Sequence, residues 1–596
     1  MSLEDREYVD RFTSVQLMNH ALYVPSKGSK KLYEICNEVD IEKIQMDIIT
    51  GEMKVHLKYW VNSEYQKLVI DRKDLTGNRL VSVLPSRGIQ VTEKTVHLIL
   101  DYLLYREKRV KVEYVHNHIG FWSIKGEKVY LHYNAHSRSR KVKSLYCGDL
   151  LLCPKGTLGG ELQVISDHVI GHTPLELAWI LGFSAPLTSY LRNMISLDNI
   201  IVHSYGRSSS GKSSSSLLSI SPFGAPLKTA TNSLFGTWMS TPNALISRLS
   251  NNQGLPVVYD EASVQDSKIY SKVIYQMSAG FDKARLTSDS KLRDKQSWST
   301  TVISNAENAI ITNDNMNQGL RVRVLSLKNI EWTVSAKQSE IITEKIMDNY
   351  GNSGIVFVQK LLSMEESDLL KMFTKCKEEV LASLKKRDVF SNRAADKLAI
   401  IYLSAILVEG LFKLKLDTIG ILNILTTADE DQLEGRDLGL QAYLYIREQA
   451  TSNLNKFIFK DSGSNLPFFS KGDYSDLPNN EIMGKVVMGS DKKPQELWIL
   501  RSSLDKILKT GGFTDADVIL HEFRDKGIIE TDRGKFTKKR ALYKNGDAVR
   551  VVIIKLRDNV YELNTEDADE ENCVADELER YRLSKETDEI IVDDIV

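Results

Sequence analysis

The stretch Gly206-Arg207-Ser208-Ser209-Ser210-Gly211-Lys212-Ser213 follows the apolar run Ile200-Ile201-Val202 and fits the spacing G-x-x-x-x-G-K-[ST]. The chemistry of that spacing is triphosphate binding. Gly206 and Gly211 let the backbone turn its N–H groups inward, and a helix starting near Lys212 adds its positive end to the anion site. Lys212 is expected to reach the β- and γ-phosphates of ATP, and the Ser213 hydroxyl to hold Mg²⁺. Ser209, Ser210 and Ser214 complete the expected cradle. A serine-rich, glycine-bracketed stretch can also be a flexible linker, but the apolar strand before it and Leu217-Leu218 after it argue against that.

Two further apolar runs end in polar residues. Leu255-Pro256-Val257-Val258-Tyr259 leads into Asp260-Glu261, with Asp260 54 residues beyond Gly206. An acidic pair after a short strand often only caps a helix; at this distance from a phosphate loop, Asp260 is expected to order Mg²⁺ and Glu261 to polarise the attacking water. Trp298 to Asn305 is a third run, and Asn305 lies 45 residues after Asp260. In a parallel sheet all three strand ends share the carboxyl edge, where nucleotides bind in open α/β sheets. Asn305 is then placed to sense the γ-phosphate or the lytic water. Gln318 to Val324 reads as a strand with arginines on one face. Arg321 or Arg323 is expected to reach the γ-phosphate of a neighbouring subunit, with Arg285 and Arg293 as open alternatives. Lys283, Arg285, Lys291 and Arg293 belong to a short basic segment that starts at Gly280. It suits a loop facing a nucleic-acid backbone, or equally a solvated hairpin.

These residues need a large soluble frame. The chain has 596 residues, 42% hydrophobic and 26% charged, ordinary for a globular protein of roughly three or four domains. Five scattered cysteines indicate neither a disulfide framework nor a zinc site, and Cys147 and Cys153 are expected to be buried free thiols. The charged N-terminus is no signal peptide, and no apolar run approaches the roughly 18 residues of a membrane span; a cytoplasmic location and no membrane partner are expected. The net charge of -1 hides an asymmetry. Residues 565 to 596 hold 13 acids against 3 bases, a local -10 that leaves +9 on the rest. A basic body with an acidic, unstructured tail often accompanies nucleic-acid binding.

Along the chain, residues 1–75 read as a β-rich domain. Alternation over Ile44, Met46 and Ile48, then Met53, Val55, Leu57 and Tyr59, then Leu68 and Ile70 gives three strands. A mixed α/β region over 76–172 includes a helix from Thr92 to Arg106 and strands from Val110 to Tyr133, with Gly120-Phe121-Trp122 at a bend. The apolar helix Pro174 to Ile195 leads into an ATPase core over 173–332, and Gly182 and Pro186 should break or kink it. Helical patterns fill 333–465, among them the apolar segment Arg393 to Phe412. Residues 480–560 read as a winged helix: a helix near Ser502 to Lys509, a second from Thr514 to Lys526, and a hairpin turning at Asn545-Gly546. His521 to Arg557 holds 11 bases against 5 acids, which points to DNA through Arg533, Lys535, Lys538, Lys539 and Arg540.

The succession of LPSRGIQV, a helix, GFW, the apolar lead-in helix, GRSSSGKS, LPVVYDE, GFDKAR, the strand ending in Ser304-Asn305, and GLRVRVLSL resembles a P-loop family of mobile elements. That family includes the Cch self-loading replicative helicases of staphylococcal cassettes, which are similar to superfamily 3 and MCM-type helicases. The resemblance covers residues 75 to 465 and extends to the winged helix. It departs from the family at Gly120-Phe121-Trp122, where Gly-Trp is usual. It departs again at Ser304-Asn305-Ala306-Glu307, which leaves the sensing to Asn305 or Glu307. The resemblance implies an α/β fold with an AAA+ core, a β-rich N-terminal domain, a helical lid and a C-terminal winged helix. It implies an ATP- and Mg²⁺-dependent DNA helicase acting as a homo-oligomeric ring, a hexamer, on single-stranded or forked DNA. The N-terminal domain or the acidic tail would then be free for a protein partner. The alternative is an ATPase switch of a defence or regulatory assembly that binds DNA or protein without unwinding.

Overall fold

Five short apolar runs between residues 200 and 328 form one sheet. In spatial order its strands are Phe235–Thr237, Val257–Asp260, Thr301–Ala306, Ile200–Tyr205 and Val324–Lys328, and each neighbouring pair is parallel. The three central strands are buried almost throughout. A parallel sheet covered on both faces requires this, which is why the runs show no polar alternation. The register sets Ser204 opposite Asn305 and Tyr259 opposite Ser304, so the three polar strand ends meet at one carboxyl edge. The computed structural model describes residues 8–9, 14–26, 31–262, 267–283, 296–311, 318–460, 482–489, 493–513, 515–532, 534–542 and 547–556.

The lead-in helix does not break. Thr173–Ile195 is a single helix of 23 residues that passes through Pro186. Every residue from Leu175 to Thr188 is buried, so packing on all sides holds a turn in which proline has removed a backbone donor. Gly182 serves a close approach instead of a kink: a Cβ there would lie 2.1 Å from the carbonyl oxygen of Ser219, in the helix Lys212–Ile220. A second buried helix, Ser391–Phe412, packs on Thr173–Ile195. Ser353–Ser363, Glu366–Ser383 and Thr418–Glu430 pack on it, Ala336–Ile346 packs on Lys212–Ile220, and Leu438–Ser452 joins the C-terminal core.

Before the parallel sheet, strands Val39–Asp47, Met53–Val61 and Glu64–Asp71 form the antiparallel meander that the alternation predicts. Val112–His116 joins it parallel to Val39–Asp47, and Ile99 and Leu103 of the helix Val96–Glu107 are buried in the same core as Val39, Val55 and Leu57. Gly120-Phe121-Trp122 lies inside the strand Ile119–Ile124, not at a bend. Gly120 has φ 84°, and a Cβ would sit 1.9 Å from the carbonyl oxygen of Gln253. The strand Asn252–Gln253 passes that closely and pairs with Ile119–Ile124 in a separate sheet that also holds Glu127–Leu131 and Ala135–Ser137, which ties that sheet to the chain entering Val257–Asp260. Cys147 and Cys153 are exposed, contrary to expectation; the surface loop that carries them turns Leu152 inward instead.

At the C-terminal end, a sheet in the order Phe457–Lys460, Gly484–Met488, Pro494–Leu500, Ala548–Lys555, Lys538–Ala541 packs with helices Arg501–Thr510 and Ala516–Asp525. Asp515 caps the second helix by accepting the N–H of Asp517 at 3.0 Å. Lys538–Ala541 and Ala548–Lys555 pair antiparallel as the two arms of the expected hairpin. Its Asn545-Gly546 turn, Thr514 and the acidic tail lie outside the described residues. Among the described residues, no helix is long and apolar enough to cross a membrane.

The close approach at Gly182 gives a direct test. Gly182→Ala drives a methyl group into the Ser219 carbonyl and is expected to cost about 1–3 kcal/mol, read as a fall of several degrees in the thermal unfolding midpoint. Gly410→Ala, where nothing lies within 4 Å of the added carbon, should leave the midpoint unchanged or raise it.

Candidate nucleotide site and nucleic-acid interface

The phosphate loop is a tight backbone turn held from one side. Gly206 has φ 137°, Ser209 64° and Gly211 85°, conformations that glycine adopts without steric cost. A Cβ on Gly206 would lie 2.3 Å from Asn329 Oδ1, and one on Gly211 2.5 Å from Thr333 Oγ1. The segment after Val324–Lys328 therefore clamps the loop: the Trp332 N–H donates to the Ser210 carbonyl at 2.9 Å, and the Trp332 indole donates to Ser204 Oγ at 2.8 Å. Asn329, Trp332 and Thr333 carry no motif and are legible only in the fold.

The ammonium of Lys212 lies across the loop, 3.1 Å from the Gly206 carbonyl oxygen and 2.5 Å from that of Arg207. Burial lowers its pKa below the ordinary lysine value, against the pull of the Glu307, Asp260 and Glu331 carboxylates. Ser213 donates its hydroxyl to Asp260 Oδ2 at 3.3 Å. Asn305 Nδ2 lies 2.6 Å from Ser216 Oγ, 3.3 Å from the Lys212 carbonyl oxygen and 3.4 Å from Asp260 Oδ1. Asp260 and Asn305 are 5% and 2% exposed. Lys212 and Ser213, partly exposed, thus meet the buried Asp260 and Asn305, distant in sequence, at one edge of the sheet. Ser209 and Ser210 lie in the loop, and Ser214 in the first turn of its helix, where its hydroxyl meets Ser339 at 2.5 Å.

The convergence can be tested against the chemistry of a magnesium nucleotide. A serine hydroxyl and a carboxylate are hard oxygen donors of the kind Mg²⁺ prefers. Asn305 Oδ1 is buried without a hydrogen-bond partner, an acceptor held ready beside them. Such an orphan is costly unless something donates to it, so the residues fit the group. Glu261 is the first residue beyond the strand, exposed and with φ 62°. A left-handed backbone at a non-glycine residue is uncommon and clusters at functional sites. Glu307 accepts from the Ser208 hydroxyl, which places it at the loop as well. Lys228, with no motif around it, sets its ammonium 3.1 Å from Asp260 Oδ2.

The arginines are placed differently from the expectation. Gln318–Arg321 is a short helix, Arg323 lies in the turn after it, and the strand begins only at Val324. Because that strand runs parallel to Ile200–Tyr205, the backbone of both arginines enters at the amino edge, away from the phosphate loop of the same chain. Arg321 packs its guanidinium on Gly435, and burial lowers its pKa. Arg323 stacks on the Tyr275 ring at 4.5 Å and donates to the Gly319 carbonyl at 2.5 Å. The turn is anchored by Lys397, 4% exposed, which donates to the carbonyls of Val322 at 3.0 Å and Arg323 at 3.2 Å.

Of the basic segment after Gly280, Lys283 is exposed, while Arg285, Lys291 and Arg293 lie outside the described residues. Asp282 N donates to the Gln296 carbonyl at 2.9 Å, so the chain leaves and returns over a two-stranded stem. In the C-terminal module, Lys535, Lys539 and Arg540 are exposed, Lys538 is paired with Glu530 at 2.8 Å, and Arg533 lies outside the described residues. The register sets Lys539 directly opposite Arg550, also exposed. Like charges facing across a ladder repel, and a polyanion between them relieves that cost.

A family model described as a domain of unknown function, DUF927, matches residues 17–297, and one described as Cch helix turn helix domain matches residues 437–559. No curated protein sequence matches the chain. Among solved structures, "SCCmec type IV Cch - active helicase" superposes with a TM-score of 0.70 at 23% identity, covering 91% of this chain and 97% of that one. The chain thus has the fold of that protein over most of its length, and residues 437–559 match a Cch helix-turn-helix domain, in line with the resemblance carried by the motifs.

Lys397 supplies a test of the arginine anchor. Burial pushes its pKa down to about 7, whereas an unfolded lysine titrates near 10.4. Between these values the unfolded chain holds the extra proton, so folding stability contributed by this residue rises with pH across the window. Lys397→Met should therefore be favoured most, relative to the parent, at or below about pH 7, and that advantage should shrink as pH rises towards 10. Chemical denaturation of both proteins across this range measures the difference.

Proposed function

We propose that the chain is an ATP-driven DNA helicase or translocase that works as a ring, a hexamer, in replication of a mobile genetic element. The observation that carries this reading is the convergence of Lys212 and Ser213 on the buried Asp260 and Asn305 at the carboxyl edge of a parallel sheet, in a chain with the Cch helicase fold. The strand order supports an AAA+ core, because Thr301–Ala306 lies between the phosphate-loop strand and the acidic strand and so sets its end residue between the metal-binding and phosphate-binding groups.

In this reading the cradle of Gly206, Ser209, Ser210, Gly211 and Ser214 holds the triphosphate, with the desolvated Lys212 ammonium on the β- and γ-phosphates. Ser213 and Asp260 hold Mg²⁺. A metal held there would supply positive charge beside the phosphate oxygens. Glu261 accepts a proton from the attacking water, and Asn305, with Glu307 beside it, orients that water against the γ-phosphate. Arg321 or Arg323 acts on a neighbouring subunit, which is consistent with their place at the opposite edge from the chain's own loop. Lys283, Arg285, Lys291 and Arg293 move along one DNA strand. Lys535, Lys538, Lys539 and Arg540, with Arg533 and Arg550, hold the backbone at the wing.

The test is strand separation on forked DNA, followed together with phosphate release. The parent chain should unwind the fork with DNA-stimulated hydrolysis. Lys212→Ala should lose about a hundredfold or more of the hydrolysis rate, and Glu261→Gln should retain nucleotide binding while losing unwinding. Unwinding by Lys212→Ala at the parent rate overturns the proposal. Hydrolysis by the parent without strand separation on any fork favours the switch.

A further inference from the structure

We propose that a further surface, formed by neither the segment after Gly280 nor the wing, binds the phosphate backbone of nucleic acid: the groove between the loop Arg138 to Lys143 and the helix Ser353–Ser363. The inference rests on the proposed DNA-dependent function and adds a contact to it. The loop follows the strand Ala135–Ser137 and reads Arg138-Ser139-Arg140-Lys141-Val142-Lys143, four cations in six residues with no acid. It is a built turn. Glu127 accepts the Ser139 N–H at 2.8 Å and its hydroxyl at 2.7 Å, and Arg140 holds a left-handed backbone with φ 56°. Arg138, Arg140, Lys141 and Lys143 are all exposed.

The groove has a volume of about 540 Å³, and its polar lining comes from His136, Arg138, Arg140, Lys143, Gln359 and from serines, with no carboxylate. The nearby acids are already engaged: Glu366 pairs with Lys128 at 2.6 Å and Glu365 with Arg138 at 2.8 Å. The second pair is more than 60% exposed on both sides and so holds Arg138 weakly. Neither Arg140 nor Lys143 is ion-paired with any described residue. A concave, cationic surface without a carboxylate suits an oligoanion. It lacks the aromatic anchors that a protein partner uses at the centre of an interface, whereas nucleic-acid interfaces are polar and strongly positive. Its one aromatic ring, His136, and its one side-chain amide, Gln359, lie 3.4 Å apart and face each other, and the cations dominate the lining, so the contact is to phosphates and independent of sequence.

The experiment uses the full chain and a fluorescent forked DNA, with affinity measured by anisotropy over a series of salt concentrations. The variant Arg138→Gln, Arg140→Gln, Lys143→Gln removes three charges at nearly constant side-chain length, and its thermal unfolding midpoint reports that it is folded. The expected result is an affinity loss of about tenfold or more at low salt. The slope of log affinity against log salt should become shallower by about 2, the value for three lost phosphate contacts at roughly 0.7 to 0.9 each. A folded variant with the parent's affinity and slope overturns the groove while leaving the DNA reading intact, provided that Lys539→Gln, Arg540→Gln weakens binding in the same assay. A parent that binds no DNA removes both. Loss of binding to polyglutamate with DNA binding unchanged assigns the groove to an acidic protein segment and also overturns the proposal.

Discussion

The site depends on one topological fact, the insertion of the strand Thr301–Ala306 between Ile200–Tyr205 and Val257–Asp260. Strands in a sheet lie about 4.8 Å apart, so neighbouring strand ends are close enough for single side chains to bridge them. Asn305 does this, reaching Ser216 of the phosphate helix on one side and Asp260 on the other. Without the insertion, Asp260 and the phosphate loop would meet with no amide group between them. The cost of the arrangement is an amide oxygen left buried without a partner.

The phosphate loop is in turn fixed by what surrounds it. Thr173–Ile195 packs on the phosphate helix at the Gly182–Ser219 approach, and the segment Asn329 to Thr333 closes the loop from the far side. The same long helix packs on Ser391–Phe412, whose Lys397 grips the turn that bears Arg321 and Arg323. A continuous path of packed elements therefore joins the loop Gly206 to Ser213 to the arginines at the other edge of the sheet. In the proposed ring, that path is a physical route for coupling one site to the next.

Much of this was legible in the sequence, and the reasons differ from residue to residue. The phosphate loop could be read because its chemistry is local: two glycines, a lysine and a serine at fixed spacing. Asp260 and Asn305 could be read because apolar runs of strand length end on them. Arg321-Val322-Arg323-Val324 misled because its alternation has the period of a strand, while the chain forms a short helix and a turn before the strand starts at Val324. Gly120 and Gly182 look like breakers in one dimension, and each accommodates a carbonyl oxygen from a segment far away in sequence. Lys228, Trp332 and Lys397 gave no signal, since a lone residue acquires its role only when the fold brings its partner to it.

The central claim is that Ser213 and Asp260 hold a magnesium ion for a triphosphate seated on Lys212, and calorimetric titration of ATP with and without Mg²⁺ tests it most directly. Magnesium should tighten binding to the parent chain and have little effect on the Ser213→Ala, Asp260→Asn variant. Equal affinity for ATP in magnesium and in chelator, or no binding at all by the folded parent, contradicts the account.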